Sequence, residues 1–275
     1  MIDIGANLTA PAFDMDRTEV IARARAAGVQ GIVVTGTDLA SAAAAADLAA
    51  AREGLWSTAG VHPHDAKSVA EGWLTAIEAL TGREAVVAVG ETGLDFHRNY
   101  SPPDVQREVF AAQIRLAVRL DMPLFVHDRD SQGETARLLA VHGAIPERVV
   151  IHCFTGSRAD LDAWLDAGYY VGITGWICDE RRGGELRELV PLIPDERLLI
   201  ETDAPYLLPR TMPRRGPGAP VHGRRNEPGF LPWVAREVAR CRDTTPEEVG
   251  ALTARNARRL FGLPAPPDSG SATVE

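Results

Sequence analysis

VVAVGETGLDFH, residues 86–97, is the stretch on which the reading of the fold turns. Val86, Val87, Ala88 and Val89 are apolar at consecutive positions, and the run stops at Gly90 and a carboxylate, Glu91. Continuous rather than alternating hydrophobicity is what a parallel strand covered on both faces requires. Similar runs recur as IDIG (2–5), GIVVTG (31–36), LWSTAGVHP (55–63), PLFVH (123–127), RVVIH (148–152), YYVGIT (169–174) and RLLIETD (197–203). With AVVAVGE (85–91) they make eight strand candidates. Amphipathic segments such as DRTEVIARARAAG (16–28) and PDVQREVFAAQIRLAVRLD (103–121) lie between them. Eight βα units predict an α/β fold, a (β/α)8 TIM barrel over residues 1–262, with a doubly wound sheet as the alternative. The end of the chain, LPAPPDSGSATVE (263–275), is expected to be a disordered tail. The stretch 204–228 is too long for a plain βα turn, so it is expected to be functional or disordered.

Composition narrows the function classes. At 45% hydrophobic and 24% charged residues, the chain can bury a large core and carries a polar surface. No run approaches the ~18 apolar residues of a membrane helix, and MIDIGANLT lacks the basic start of an export signal. Cys153, Cys178 and Cys241 are scattered and form no CxxC pair, which points to a reducing cytoplasm rather than a disulfide scaffold. A net charge of −9 repels nucleic acid at long range, so any polyanion site must be locally basic.

The predicted strand ends carry the chemistry. The third leads into His62 and His64, the fourth into Glu91, the fifth into His127, the sixth into His152 and the eighth into Asp203. In a barrel these positions share the C-terminal face, where enzymes of this fold keep their active sites. A lone histidine at a strand end is more often structural. Imidazoles and carboxylates at equivalent ends of successive strands form a divalent-metal ligand set, and a metal would compensate Glu91. Between residues 210 and 225, Arg210, Arg214, Arg215, His222, Arg224 and Arg225 occur with no acidic residue. That surplus suits phosphates, the alternative being a solvated basic loop. Trp176, Phe96 and Tyr100 are candidates to stack an unpaired base, with core packing as the other reading. Asn226 and Glu227 are expected to order the long segment, and Arg225 to reach a phosphate. Asp3 reads as structural, and Cys153 as a buried apolar residue.

The stretches STAGVHPHD (57–65), GETGLDFHRN (90–99), MPLFVHDRD (122–130), HCFTG (152–156), GITGWICDERRG (172–183), LIETDAPYLLPR (199–210) and RRNEP (224–228) resemble the TatD family of metal-dependent deoxyribonucleases, in the amidohydrolase superfamily. The resemblance implies a TIM barrel and a Mg²⁺-dependent 3′→5′ exonuclease acting on the 3′ ends of single-stranded DNA and RNA. It also implies a part in repairing oxidative DNA damage. By the same resemblance Glu91, His127, His152 and Asp203 are the metal ligands, with Asp203 also orienting or deprotonating the attacking water. The catalytic group is expected to comprise Asp203, Glu91 and His62, and substrate contacts to come from His62, His64, Arg225 and Trp176. Most relatives in the wider family open with D-x-H-x-H on the first strand, whereas this chain has Asp3, Gly5 and Asn7, a kind of replacement that part of the family shares. Losing two imidazoles favours a harder ion, Mg²⁺ before Mn²⁺ or Zn²⁺. A monomer is expected. Two other readings remain open at this point: an amide or ester hydrolase such as an aminoacyl-tRNA deacylase, and a non-catalytic nucleic-acid-binding protein.

Overall fold

The apolar run at Val86 is the fourth of eight parallel strands in the computed structural model, which describes residues 1–213, 215, 220 and 222–265. The strands are β1 Ile2–Ala6, β2 Gly31–Val34, β3 Leu55–Ala59, β4 Val86–Asp95, β5 Leu124–Arg129, β6 Val149–Ile151, β7 Tyr170–Ile173 and β8 Leu198–Ile200. They pair in sequence order. The ring closes where the backbone N–H of Asp203 donates to Gly5 O (2.8 Å) and that of Asn7 to Ala204 O (2.7 Å). Helices α1 Arg17–Ala26, α2 Leu39–Ala50, α3 Trp73–Thr81, α4 Pro103–Leu120, α5 Glu134–Val141, α6 Arg158–Asp166 and α7 Gly184–Leu189 follow the first seven strands. After β8 and a long loop come α8 Leu231–Cys241 and α9 Pro246–Phe261. This is the expected (β/α)8 barrel.

Both faces of the strands are buried, as their continuous hydrophobicity requires. Ile2, Ile4, Val33, Ala88, Phe125, Val150, Tyr170 and Leu199 form one cluster with Ala254, Ala257, Leu260 and Phe261 of α9 and with Leu263. Val34, Ala59, Val89, Val126, Ile151, Val171 and Ile200 belong to the other, with the apolar stripes of the surrounding helices. Neighbouring residues of one strand, such as Ala88 and Val89, thus serve opposite faces. Leu263 is buried, while residues 266–275 of the expected tail lie outside the described residues.

Two strand ends depart from the expected limits. β4 runs on to Asp95 instead of stopping at Glu91. Its pairing with β5 slips between Gly90 and Thr92 and then continues through Asp95, opposite Arg129. Gly90 and Gly93 have φ of 144° and 140°, and a Cβ at either would collide with a carbonyl of β5, at Phe125 or His127. Glycine alone permits this approach. At β8 the ladder stops at Ile200, three residues short of Asp203, whose φ is 53°.

The segment 204–228 is tied down at its far end by the two residues expected to order it. Asn226 Nδ2 donates to the carbonyls of Thr202 (2.9 Å) and Tyr206 (2.6 Å). Glu227, 2% exposed, accepts from Arg23 Nε (2.7 Å) and Nη2 (2.6 Å). Arg23 on α1 also reaches Asp16 at 3.0 Å, which links the first βα unit to the end of the loop. Arg23→Ala would leave the Glu227 carboxylate buried with only a 3.6 Å approach to Arg225. The expected cost is about 2–3 kcal/mol, measured as a lower unfolding midpoint in denaturant. An unchanged midpoint would mean that Glu227 contributes nothing to anchoring the loop.

Candidate active site

At the bulge of β4, Glu91 is 5% exposed and one of its oxygens gathers three imidazoles. Oε1 lies 2.8 Å from His152 Nε2, 3.2 Å from His62 Nε2 and 3.3 Å from His127 Nδ1. Four successive strands position these groups. His152 follows β6 and His127 sits within β5, while His62 lies in the turn after β3 with its N–H bonded to Thr37 O at 2.8 Å. Ligand atoms of His62, Glu91 and His127 all lie within 4.8 Å of one another. His62 Nδ1 accepts the backbone N–H of His64 (3.1 Å), so in the neutral ring its proton is on Nε2, directed at Glu91.

A second layer of carboxylates stands behind the imidazoles. Asp95, 1% exposed, places Oδ2 3.6 Å from His127 Nε2 and 2.7 Å from His64 Nε2. Its Oδ1 accepts the backbone N–H groups of His97 (3.0 Å) and Arg98 (2.8 Å). Glu201 accepts the backbone N–H of Cys153 at Oε1 (2.6 Å), and its Oε2 is 3.4 Å from His152 Nδ1. Asp203 Oδ1 accepts from Asn7 Nδ2 at 3.3 Å.

The titration of these groups follows from burial and from one another. Burial works to raise the Glu91 pKa, but the charges of His152 and His62 and the hydrogen bonds of His127 and His152 hold it well below the carboxylate range. Burial opposes charge on His152 and His127, yet Glu91 with Glu201 raises the first, and Asp95 with Glu91 raises the second. In His62 burial wins over Glu91 and the pKa falls. Asp203 moves the other way, to about 8, through burial and the charges of Glu91 and Glu201, against the pull of His152. Three carboxylates therefore converge on one buried pocket, and one of them holds its proton at neutral pH. His127 Nε2, His152 Nδ1 and Glu201 Oε2 are buried with no hydrogen-bond partner among the described residues. Buried carboxylates beside the Glu91-facing nitrogens His62 Nε2, His127 Nδ1 and His152 Nε2 fit a divalent cation.

The model of a family described as TatD related DNase matches residues 2–262. The chain belongs to the TatD related DNase family. A Klebsiella pneumoniae protein named 3′-5′ ssDNA/RNA exonuclease TatD is 50% identical over 263 residues, 96% of this chain and 98% of that one. Its namesake from Erwinia billingiae is 50% identical over 266 residues, with 96% and 100% covered. Among solved structures, the TatD homologue YJJV of Escherichia coli K12 superposes with a TM-score of 0.85 at 28% identity, covering 96% of this chain and 98% of that chain. A TatD family hydrolase from Entamoeba histolytica gives 0.86 at 26%, covering 95% and 97%.

Of the residues assigned by likeness to the TatD family, Glu91, His127 and His152 are in direct contact, while Asp203 is coupled to them through charge and bonded to Asn7. His62 stands inside this group, while His64 is turned to Asp95. Arg225 differs from the expectation that it reaches a phosphate. Its guanidinium bonds both oxygens of Asp16 at 2.7 Å and covers the Phe13 ring at 4.8 Å, so its charge is already neutralised. The basic stretch is diluted in the same way: His222 also meets Asp16 (3.1 Å), and Arg210 meets Asp179 (3.3 Å). Arg214 lies outside the described residues. Trp176 is half-buried with Arg182 4.2 Å over its ring, and Arg107 lies 4.9 Å over Phe96. Tyr100 remains exposed, edge-on to His64 at 4.6 Å.

Three residues were missed by the sequence reading. Tyr206 has an exposed ring, and its backbone N–H donates to Asp203 O at 2.9 Å. Asp95 and Glu201 each had a signal in strand periodicity. Glu91, Gly93 and Asp95 fall on one face of an extended strand, as do Leu199, Glu201 and Asp203.

Proposed function

We propose that this protein is a metal-dependent 3′→5′ exonuclease that hydrolyses phosphodiester bonds of single-stranded DNA and RNA. One observation carries the reading: a buried carboxylate oxygen held by three imidazoles at the C-terminal mouth of a TatD-family barrel. Glu91, His127, His152 and Asp203 would hold the cation, and the oxygen-rich half of this set suits Mg²⁺, with Mn²⁺ and Zn²⁺ as competitors. When bound, a divalent cation supplies Lewis-acid activation of water and offsets phosphate charge. Asp203, ionised by the positive charge of the cation, would take the proton of the attacking water. His62, neutral with its Nε2–H on Glu91, would turn that donor to a phosphate oxygen once Glu91 is engaged by a cation, and Asp95 fixes His64 beside it. The exposed rings of Tyr100 and Tyr206 offer faces for terminal bases. Trp176 borders the same mouth, while Arg215 and Arg224, both exposed, supply phosphate contacts that Arg225 does not.

A monomeric, cytoplasmic enzyme that clears ends in the repair of oxidised DNA belongs to the same proposal. Among the described residues no helix is long and apolar enough to cross a membrane. A single site beside a rim of loops favours a free strand end over an internal bond. Linear single strands should therefore release mononucleotides stepwise from the 3′ end in Mg²⁺. A closed circular single strand should stay intact in the same gel. Internal cuts in the circle at a comparable rate would sink the exonuclease reading.

A further inference from the structure

We propose that Glu201 is the positioning residue for His152: it holds the proton of Nδ1 and thereby commits Nε2 to the cation. The inference rests on the metal-dependent reading above and adds to it a residue outside the expected ligand set.

Glu201 is fully buried, one residue past the end of β8, and its two oxygens have different tasks. Oε1 is fixed by the Cys153 N–H at 2.6 Å, and this N–H points inward because Cys153 has a φ of 48°. With Oε1 fixed, Oε2 faces His152 Nδ1 at 3.4 Å. Both of these atoms lack a hydrogen-bond partner among the described residues, so each can be satisfied by a small closing movement toward the other.

The space around Glu201 is made by glycines on the two adjoining strands. A Cβ at Gly5 of β1 would collide with Oε2, and one at Gly172 of β7 would lie 2.7 Å from Oε1. The first strand therefore has no room for a side chain at position 5 while Glu201 stands where it does. On its other side His152 presents Nε2 to Glu91 Oε1 at 2.8 Å. A neutral imidazole has one protonated nitrogen and one lone pair, and a carboxylate on Nδ1 decides which is which. The Phe125 ring at 4.6 Å from the imidazole restricts rotation that would undo the arrangement.

The proposal is tested with Zn²⁺ alone, without nucleic acid. In Glu201→Gln the amide oxygen keeps the Cys153 N–H, so the amide NH₂ faces His152 Nδ1 and demands a lone pair there. Calorimetric affinity for Zn²⁺ should fall by about 10–100-fold while circular dichroism stays unchanged. Gly5→Ala, whose Cβ would press on Glu201 Oε2 and on the Phe125 ring while leaving every polar group in place, should weaken Zn²⁺ binding in the same range. In the unaltered Zn²⁺-loaded protein, ¹⁵N spectra of the histidine rings should show His152 protonated at Nδ1 and not at Nε2. That measurement decides the matter even where a variant fails to fold. Protonation at Nε2, unaltered affinity in both variants, or no Zn²⁺ binding by the unaltered chain would overturn the proposal. None of these readings depends on strand cleavage, so loss of the exonuclease assay alone would count against the function and leave the role of Glu201 standing.

Discussion

Glu91→Gln is expected to lower turnover on a single-stranded oligonucleotide by about 10³-fold or more, the size of losing several kcal/mol of charge stabilisation. The substitution keeps shape and removes one charge, so its effect reports electrostatics rather than packing. That charge is the common partner of His62, His127 and His152, all within 3.3 Å of one oxygen. Without it, the imidazoles lose the group that raises the pKa of His127 and His152, and the cation loses its only fully buried anionic ligand on β4. Removing the cation with EDTA from the unaltered protein should produce the same loss, and added Mg²⁺ should restore it there but not in the variant. The check is initial rate at saturating Mg²⁺ together with the metal affinity of both forms. Activity within tenfold of the unaltered protein would mean that Glu91 is only a structural partner of the histidines.

Why so much of this was legible from the sequence is a matter of period. The run Val86–Val89 needs no alternation because Ala88 and Val89 each meet an apolar layer, one inside the barrel and one beneath the helices. Once eight such runs are ordered, the residues at their ends are neighbours by topology, and His62, Glu91, His127 and His152 converge without further assumption. The sequence does not show what each charge meets across the barrel. Arg225 looks like a phosphate ligand because nothing acidic is near it in the chain, yet Asp16 is 209 residues away and in contact. The local surplus between 210 and 225 dissolves for the same reason, since Asp16 and Asp179 belong to other loops. Glu201 was hidden differently. Beside Asp203 in ETDAPY it reads as one more acidic residue, and only the empty volume left by Gly5 and Gly172 explains why it points inward. An absent side chain on one strand is a signal only when the neighbouring strand is known.

Asp203→Asn is expected to cost at least ~10²-fold in turnover, the range of a general base, and to do so without loosening the barrel. The asparagine retains an oxygen to accept from Asn7 Nδ2, so the contact that holds residue 203 over the mouth survives. What it cannot do is take a proton. The pH dependence of stability separates this chemical role from a structural one. In the metal-free protein the Asp203 pKa is raised to about 8, first by burial and then by Glu91 and Glu201. A carboxyl raised in this way favours the folded state fully at pH values below about 4, its unfolded value, and loses that contribution as the pH rises through about 8. Between those limits the folded protein binds a proton that the unfolded chain has released. Asparagine mimics the protonated carboxyl at every pH. In EDTA, the variant should therefore match the unaltered protein near pH 4 and exceed it in unfolding midpoint by pH 9, while remaining the poorer nuclease in Mg²⁺ at both. A variant that loses stability in parallel with the unaltered protein across that range would show that Asp203 is ionised in the folded, metal-free site. One that keeps near-normal turnover would remove Asp203 from proton transfer.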